Sequence, residues 1–318
     1  MRIMGCACEK QNVTIQDNKY HVIDQIGQGG FSSVFLVKNS NKVEYVLKCI
    51  YCHDEGDREK AWNEAHLHKL FQNSYDDQYI IKLMGCKMLE KSTEFSKTPT
   101  DTFLMLLPYY KSGSLLDRLT LFPNQTNLKQ IVQYFRNICL GIKVFHDMSY
   151  AHRDIKPANI LFNNNNEPII IDLGSAAPAK ITISSQKEAQ KLLDEVSERC
   201  SMTYRAPELF NIDIDSVIDE RIDIWSLGCL LYAMLYKKSP FDLVYERGDS
   251  VALAVISGKI NFPSYSCESF NNLIMKMLTT DHLKRPNIDN VLEYLTILDD
   301  SLNKDAINQN FTSQKYLF

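Results

Sequence analysis

Residues 150–174 read Y-A-H-R-D-I-K-P-A-N-I-L-F-N-N-N-N-E-P-I-I-I-D-L-G, and this stretch decides the fold. Its apolar runs at 160–162 and 169–171 predict two short buried strands. Four consecutive asparagines lie between them at 163–166, and asparagine tolerates the left-handed conformations of tight turns. The turn therefore reverses the chain and is expected to bring Asp172 back toward Asn159.

The polar residues of this stretch are the types that phosphoryl transfer needs. Asp154 can accept a hydroxyl proton, and Lys156 can neutralise a phosphate oxygen. Asn159 and Asp172 can present hard oxygen ligands to Mg²⁺. Alone, H-R-D could be a charge cluster at a helix end, and D-L-G a turn after a strand. Together, with K-x-x-N between them and A-P-E at 206–208, they favour a phosphoryl-transfer site.

These motifs recur in the order seen in protein kinases, so residues 20 to about 298 resemble the protein kinase superfamily. Longer strings are similar to the Numb-associated kinase family, and most similar to its myristoylated and palmitoylated serine/threonine kinase branch. They are D-L-G-S-A at 172–176, R-C-S-M-T-Y-R-A-P-E-L-F at 199–210, I-D-E-R-I-D-I-W-S-L-G-C-L-L-Y-A-M at 218–234 and G-D-S-V-A-L-A-V at 248–255.

The resemblance implies the α+β, bilobal protein kinase fold. We expect a small β-rich N-lobe at about 20–107 and a larger helical C-lobe at about 108–298. A loosely ordered N-terminal tail would occupy 1–19, and a polar C-terminal tail 299–318.

Composition excludes several classes of protein. The 318 residues carry a net charge of −4 with a pI near 6.0, so no basic surface for nucleic acid is expected. The nine cysteines are an odd number scattered through apolar runs, which favours reduced thiols in a cytosolic protein. We recognise no signal peptide, and the apolar run at 225–236 is too short to span a bilayer. We expect a monomer.

A nucleotide site is predicted from the glycine-rich segment G-Q-G-G at 27–30, between strand-like runs at 20–26 and 31–37. Glycines let backbone N–H groups approach phosphates, although a lone G-x-G is often only a hairpin turn. The resemblance implies that ATP is contacted by Gly27, Gln28, Gly29, Gly30, Val34, Val46, Lys48, Leu107, Pro108, Tyr110 and Leu161.

By the same resemblance, Lys48 holds the α- and β-phosphates and pairs with Glu64 on a helix predicted at 57–71. Asn159 and Asp172 hold Mg²⁺, while Ser201 bridges Asp154 and Lys156 through its hydroxyl. Two structural roles are also implied. Asp223 would hold the catalytic loop, and Arg285 would pair with Glu208.

The sequence thus predicts an ATP- and Mg²⁺-dependent protein kinase whose substrates are serine and threonine hydroxyls of other proteins. A pseudokinase scaffold is one alternative, and the intact Lys48, Glu64, Asp154, Asn159 and Asp172 argue against it. A small-molecule or lipid kinase is a second, opposed by the peptide-docking platform that R-C-S-M-T-Y-R and A-P-E form in protein kinases. Lys156 favours serine and threonine over tyrosine, with dual specificity left open.

The segment between Asp172 and Glu208 contains a predicted helix at 185–196, because Ser185 and Glu188 form a capping box ahead of an apolar face. Two modes of regulation are compatible with it. A phosphate on Ser197 could pair with Arg153, or the helix could order the segment without a phosphate. We prefer the second, because the resembled family is usually active without such a switch.

The N-terminal M-G-C-A-C at 4–8 suggests a lipid anchor. If translation begins at Met4, Gly5 is open to myristoylation, and Cys6 and Cys8 to palmitoylation. The protein would then be cytoplasmic and peripheral on Golgi or other membranes. The chain begins at Met1, however, and Glu9 stands where the acyltransferase prefers Ser or Thr. A plain cytosolic tail is the alternative.

Overall fold

The computed structural model describes residues 12–72, 74, 77–91, 100–121, 127–264 and 266–314, with side chains as far as Asn303. The predicted acylation sites Gly5, Cys6 and Cys8 lie outside the described residues. The chain divides into two compact units, the first ending at Lys111 and the second beginning at Ser112. This division falls a few residues after the lobe boundary expected from the sequence.

The first unit is a six-stranded antiparallel sheet with a helix, α1 (Glu55–Phe71). The strand order is β1-β2-β3-β4-β6-β5. The strands are β1 (Asn12–Ile15), β2 (Asn18–Gln28), β3 (Ser32–Asn39), β4 (Glu44–Cys52), β5 (Gly85–Leu89) and β6 (Asp101–Pro108). The predicted strands at 20–26 and 31–37 and the predicted helix at 57–71 are therefore present, with slightly wider bounds.

Alternation along β3 and β4 gives this sheet two different faces. Phe35 and Val37 of β3 and Leu47 and Cys49 of β4 are buried in one apolar core, because alternate side chains of a strand point to the same face. The core consists of Ile15, Tyr20, Val22, Phe35, Val37, Leu47, Cys49, Leu104 and Leu106. The opposite face of β3 and β4 is half-buried and is therefore accessible to a ligand.

Strand β1 corrects the expected domain boundary. The segment 1–19 was interpreted as a loosely ordered tail, and this was wrong for Asn12–Ile15, which pairs with β2. Ile15 is only 1% exposed and belongs to the core. A Cβ placed on Gly85 would lie 3.0 Å from Ile15 Cγ2, so β1 and β5 approach closely where glycine stands. Hydrophobic periodicity missed this strand because only four residues carry it.

The second unit contains α2 (Leu115–Leu121) and α3 (Leu128–Asp147), followed by three two-stranded antiparallel ladders and further helices. The ladders pair β7 (Tyr150–Ala151) with β10 (Ala177–Pro178), β8 (Ile160–Phe162) with β9 (Pro168–Ile170), and β11 (Ile181–Thr182) with β12 (Val217–Ile218). The helices are α4 (Gln186–Arg199), α5 (Arg221–Tyr236), α6 (Asp242–Glu246), α7 (Val251–Ser257), α8 (Glu268–Met277) and α9 (Ile288–Gln314).

Helix α5 is the centre of this unit. It is buried on all sides from Ile222 to Leu235, as the largely apolar run at 225–236 predicts. A Cβ on Gly228 would come within 2.8 Å of Leu278 Cδ2, so the close packing at the end of α8 requires a glycine. No helix in the described ranges is both long and apolar enough to cross a bilayer.

Helix α9 corrects the other expected boundary. The chain was predicted to leave the domain at about 299, but the helix continues to Gln314. Leu298 is buried, and α9 packs against α3. The polar composition after residue 299 was taken to mark a tail, although a helix with one face in solvent has the same composition.

The role of β1 leads to a stability prediction. Ile15→Ala removes a fully buried side chain from the sheet core and should lower the free energy of unfolding by about 2–4 kcal/mol. Thr14→Ala, at an exposed position of the same strand, is the control and should change it by less than about 0.5 kcal/mol. Urea denaturation of both variants measures the difference. Equal stabilities would mean that β1 is not part of the cooperative unit.

Candidate active site

In the first unit, Lys48 and Glu64 form the predicted ion pair. Lys48 Nζ lies 2.8 Å from Glu64 Oε1, and both side chains are largely buried. Lys48 stands on β4 and Glu64 in the middle of α1. The helix begins at Asp54, whose carboxylate accepts a hydrogen bond from Asp57 N. The helix capped in this way places the Glu64 carboxylate beside Lys48 on β4.

A second ion pair, which the sequence did not suggest, fastens α1 to β6. Arg58 Nε donates to Asp101 Oδ2 at 2.7 Å, and Asp101 Oδ1 accepts from Lys91 N at 2.6 Å. The Lys91 N–H, followed by the Arg58 guanidinium, lowers the pKa of Asp101. Residues 58 and 101 are far apart in the chain, so local sequence patterns carry no signal for the pair.

The strand register gathers the predicted nucleotide contacts of this unit on the half-buried face. Val34 lies opposite Lys48, and Val46 lies opposite Leu107. Gly27 lies opposite Val34 and continues the same face. The turn that follows is closed by a hydrogen bond from Gly29 N to Ser32 O at 2.7 Å, and Gly30 lies within it. Such a face can hold a flat apolar base beside an ammonium group.

Two of the three remaining nucleotide contacts predicted for this unit lie at strand ends, and the third follows β6. Gln28 ends β2, and its Oε1 accepts from the Ser33 hydroxyl at 3.1 Å. Pro108 ends β6 opposite Tyr45. Tyr110 follows in an irregular segment, and burial raises its pKa. The register alone does not assign Tyr110 to the face.

In the second unit, the carboxylate of Asp154 is held by three groups. Its Oδ2 lies 2.7 Å from Lys156 Nζ and accepts from Asn159 Nδ2 at 3.0 Å. Its Oδ1 accepts from Ser201 N at 3.0 Å. Asp154 is almost fully buried, and these donors fix its orientation. The four residues come from the loop before β8 and from the segment after α4.

Ser201 makes its contacts differently from the prediction. Its hydroxyl accepts from Lys156 Nζ at 2.8 Å, as expected. The contact with Asp154 is made by the Ser201 backbone N–H and not by the hydroxyl. Ser201 therefore still joins the two residues, with one bond that depends on its side chain and one that does not.

The predicted metal ligands are brought together by the β8–β9 hairpin. Ile171 N donates to Asn159 O at 3.0 Å, which places Asp172 next to that pairing. Asn159 Nδ2 donates to Asp154, so the amide nitrogen is engaged and the amide oxygen can serve a cation. Asp172 has a left-handed backbone with φ of 64°. Leu161, a predicted adenine contact, lies half-buried on β8.

These two oxygen ligands fit Mg²⁺, because Mg²⁺ in phosphoryl-transfer sites is typically held by one or two protein oxygens together with phosphates and water. Among the described residues, no cluster of three or more His, Cys, Asp or Glu side chains could hold a metal. Two protein oxygens suit a metal that takes its other ligands from phosphates and water.

The backbone of the catalytic loop is held by Asp223, as predicted. Asp223 is completely buried on α5 and accepts from His152 N at 2.7 Å and Arg153 N at 2.8 Å. Burial alone would raise its pKa, but the hydrogen bond with His146, the nearby His152 and the Arg153 N–H lower the pKa overall. The loop and the helix are thereby joined through one buried carboxylate.

His152 and His146 were not given roles from the sequence. His152 Nδ1 accepts from Asp154 N at 3.3 Å, and its Nε2 lies 3.2 Å from Ile171 O. His152 thus connects the Asp154 loop to the end of β9. His146 Nε2 lies 3.1 Å from Asp223 Oδ2. The sequence showed that a histidine precedes Arg153 and Asp154, but not that His152 contacts Asp154 N and Ile171 O.

Helix α4 confirms the predicted helix between Asp172 and Glu208. Ser185 Oγ accepts from Glu188 N, and Ala189, Leu192 and Val196 are buried. The helix also carries residues that sequence reasoning missed. Arg153 Nη1 donates to Glu195 Oε1 at 3.2 Å.

The last turn of α4 is tied to the segments on either side of it. The Arg199 guanidinium donates to Gly174 O beside Asp172. Arg205 Nη2 donates to Val196 O at 3.1 Å and to Cys200 O at 2.8 Å, satisfying carbonyls at the end of the helix. The segment between Asp172 and Glu208, called the activation segment below, is thereby fixed at the C-terminal end of α4.

The predicted pair of Arg285 and Glu208 is bidentate. Nη1 and Nη2 of Arg285 donate to the two carboxylate oxygens of Glu208 at 2.7 and 2.9 Å. Arg285 is buried over the Trp225 ring. The pair anchors the A-P-E segment to the helices behind it.

Comparison with known proteins agrees with this geometry. The profile of the protein kinase domain matches residues 20–295. This chain belongs to the protein kinase family. The kinase is 38% identical to serine/threonine-protein kinase 16 of Rattus norvegicus, over 92% of this chain and 94% of the relative. Identity to serine/threonine-protein kinase 16 of Homo sapiens is also 38%, over the same shares.

A more distant relative is a probable serine/threonine-protein kinase of Dictyostelium discoideum, 34% identical over 91% of this chain and 96% of the relative. The chain is therefore a protein serine/threonine kinase with the α+β fold of that family, a β-sheet N-lobe and a helical C-lobe. Strand β1 lies before the range that matches the protein kinase domain.

The geometry of Ser201 predicts a separable kinetic effect. Ser201→Ala removes the hydroxyl that accepts from Lys156 but keeps the N–H that donates to Asp154. We expect kcat to fall by about tenfold, the value of one charge-assisted hydrogen bond, with little change in the KM for ATP. Ser201→Thr keeps the hydroxyl and should restore most of the rate. If Ser201→Ala left peptide kinetics unchanged, the hydroxyl would have no part in the site.

Proposed function

We propose that this kinase transfers the γ-phosphoryl group of ATP to serine and threonine hydroxyls of proteins in a Mg²⁺-dependent reaction. We further propose that it belongs to the Numb-associated kinase family, in the branch that is myristoylated and palmitoylated. One observation carries the catalytic proposal. The Asp154 carboxylate is buried and oriented by Lys156, Asn159 and Ser201, which suits a base placed to receive a single proton.

Asp154 orients the substrate hydroxyl and accepts its proton as the new oxygen–phosphorus bond forms. Lys156 lies beside Asp154 and offsets the negative charge that spreads over the transferred phosphoryl oxygens. The leaving oxygen remains on the nucleotide as ADP. Because the reaction needs little covalent work from the protein, these residues act by position and charge.

Lys48 positions the nucleotide through its ammonium group. Its pairing with Glu64 holds the lysine in a fixed position, so little rotamer freedom is lost when phosphates bind. Asn159 and Asp172 would hold Mg²⁺, which when bound neutralises phosphate oxygens and orients them. The half-buried face with Val34, Val46 and Leu107 would receive the adenine.

Substitutions should separate these roles. Asp154→Asn keeps the shape and the Asn159 contact but cannot accept a proton, so the rate should fall by about 10²–10⁴ while ATP affinity stays near normal. Asp172→Asn should abolish Mg²⁺-dependent turnover. Lys48→Met should weaken productive ATP binding. The measurement is phosphorylation of a serine/threonine peptide library, with ATP affinity measured in parallel by calorimetry.

The outcomes distinguish the alternatives. Unmodified protein that binds ATP but transfers no phosphate would be a pseudokinase. Transfer to lipid or small hydroxyl compounds in place of peptides would overturn the substrate class. If Lys48→Met protein phosphorylated peptide as fast as the unmodified protein, the role of Lys48 would be wrong.

We also propose that the activation segment is ordered without a phosphate. Arg153 lies next to the catalytic aspartate, and in many kinases a phosphate pairs with this arginine. Here the Glu195 carboxylate occupies that position at 3.2 Å, while the candidate phosphosite Ser197 is exposed on the same helix. A resident carboxylate supplies the negative charge that phosphorylation would add.

Phosphatase treatment tests this proposal. The treated protein should keep most of its activity, whereas Glu195→Ala should lower activity severalfold because Arg153 loses its anion. Glu198→Ala, at an exposed position of the same helix, is the matched control and should have little effect. A collapse of activity after phosphatase treatment, reversed by phosphorylation of Ser197, would support the opposite mode of regulation.

Membrane attachment through the tail is the third part of the proposal. Its support is the sequence M-G-C-A-C at 4–8 and the resemblance to the acylated branch. A single myristoyl chain binds membranes only marginally, with an association constant of about 10⁴ M⁻¹, so a palmitoyl chain on Cys6 or Cys8 would be needed for stable attachment. The resulting location is the cytoplasmic face of Golgi or other membranes.

Cell fractionation tests the anchor. The unmodified protein should sediment with membranes, and Gly5→Ala or the double change of Cys6 and Cys8 to Ser should release it. Cys267→Ser, a cysteine far from the tail, is the control and should stay with membranes. If the unmodified protein is already soluble, or if both tail variants remain on membranes, the anchor does not exist in this form.

A further inference from the structure

A cavity of about 460 Å³ lies in the second unit, beside α2, the beginning of α3 and the end of α5. All of its described lining residues belong to that unit. None of the residues assigned to catalysis, nucleotide or Mg²⁺ binding lines it. A volume of this size is typical of ligand sites. The proposed function leaves this cavity without a role.

The charges of the cavity are of one sign. Arg118 and Lys237 line it, and none of its described lining residues is acidic. The Arg118 guanidinium carbon lies 3.3 Å from the centre of the Phe162 ring, which fixes the side chain. In the described part of the chain, no carboxylate forms an ion pair with either cation. The described lining therefore contains no negative group to balance the charges of Arg118 and Lys237.

Hydrogen-bond donors are also in excess. The Tyr134 hydroxyl oxygen accepts from Gln130 Nε2 at 2.9 Å, from Arg118 Nη1 at 3.4 Å and from Asn166 Nδ2. An oxygen with two lone pairs cannot fully satisfy three donors. The first turn of the 20-residue helix α3 borders the cavity and adds the positive end of its dipole. An incoming oxyanion would satisfy these donors better than the phenol does.

Lys237 is held in an unusual conformation. It ends α5 with φ of 72°, a left-handed geometry that usually selects glycine or asparagine. Burial lowers the pKa of its ammonium group, with no opposing contribution from a neighbouring carboxylate. A left-handed conformation and partial desolvation of the ammonium group both cost free energy in the unbound protein. A bound anion would stabilise the ammonium group and offset this cost.

The rest of the described lining consists of four apolar residues together with Ser112 and Asn127. Leu115, Leu119, Ile131 and Met234 are nearly fully buried and line the cavity. Apolar atoms contribute about half of the exposed surface of the cavity, and a free inorganic anion would leave that part in contact with water. The combination selects a ligand that joins an anionic group to an apolar side chain.

We propose that this cavity docks an acidic peptide segment of a partner protein, with an aspartate or glutamate carboxylate beside a bulky apolar side chain. The carboxylate accepts hydrogen bonds from Arg118 and Lys237, and the apolar side chain packs on Leu115, Leu119 and Ile131. Such a site would hold a substrate or a regulator through a segment remote from the phosphorylated residue.

Subtractive selection from a displayed random heptapeptide library provides the test. Clones that bind the full-length kinase are collected, and those that also bind the Lys237→Asn protein are discarded. In this variant the charge at 237 is lost, while asparagine tolerates the left-handed conformation. The surviving peptides should combine Asp or Glu with Leu, Ile, Phe or Met. Fluorescence anisotropy then measures their affinity for each variant.

Lys237→Asn and Arg118→Gln should each weaken a selected peptide by about tenfold, the value of a charge-assisted hydrogen bond. Lys237→Arg keeps the charge, and Lys238→Asn changes an exposed neighbour, so both should bind normally. Lys237→Asn should also phosphorylate a short peptide at the normal rate, which shows that the protein is folded and separates this site from the catalytic proposal.

Three results would overturn the assignment. The selected peptides could lack acidic residues, or no clone could survive depletion. Inorganic phosphate at millimolar concentration could displace the peptides completely, which would indicate a small-anion site in place of a peptide site.

Discussion

The catalytic half of this kinase depends on one buried carboxylate. Asp223 accepts hydrogen bonds from two consecutive backbone N–H groups of the catalytic loop while fully enclosed in protein. A buried charge is tolerated only when it is paired and hydrogen-bonded, and the loop donors together with His146 meet that condition. The loop cannot relax without leaving the carboxylate unsatisfied, so Asp154 is held where chemistry requires it.

The same principle extends outward from the loop to the activation segment. Arg153 is buried beside Asp154, and Glu195 on α4 supplies its counter-charge. Arg205 in turn satisfies the carbonyls that end α4. Each buried cation is matched by an anion or by carbonyl oxygens, which makes order in one segment depend on order in the next. The cavity beside Arg118 departs from this pattern, since its cations have no such match in the described residues.

The errors of the sequence-based predictions have specific physical causes. Strand β1 is short and acquires its core position from Ile15 meeting Gly85, a contact between distant residues. Helix α9 exposes one face over residues 288–303, and a helix of this kind has a composition that resembles a polar tail. Ser201 reaches Asp154 by its backbone, and side-chain chemistry read from sequence does not foresee a main-chain donor. The roles assigned to the nucleotide and metal ligands stay predictions.

By itself, the sequence determined the strands and helices with strong periodicity, because these follow from the spacing of apolar residues. Its resemblance to protein kinases supplied the family, the Lys48–Glu64 pair and the Asp223 anchor. Only the tertiary structure showed the long-range charge pairs that the resemblance does not imply. The pairing of Arg153 with Glu195 and the unmatched cations Arg118 and Lys237 are of this kind. Local pattern specifies secondary structure, but which charges are buried together, and which remain unmatched, depends on how distant segments pack.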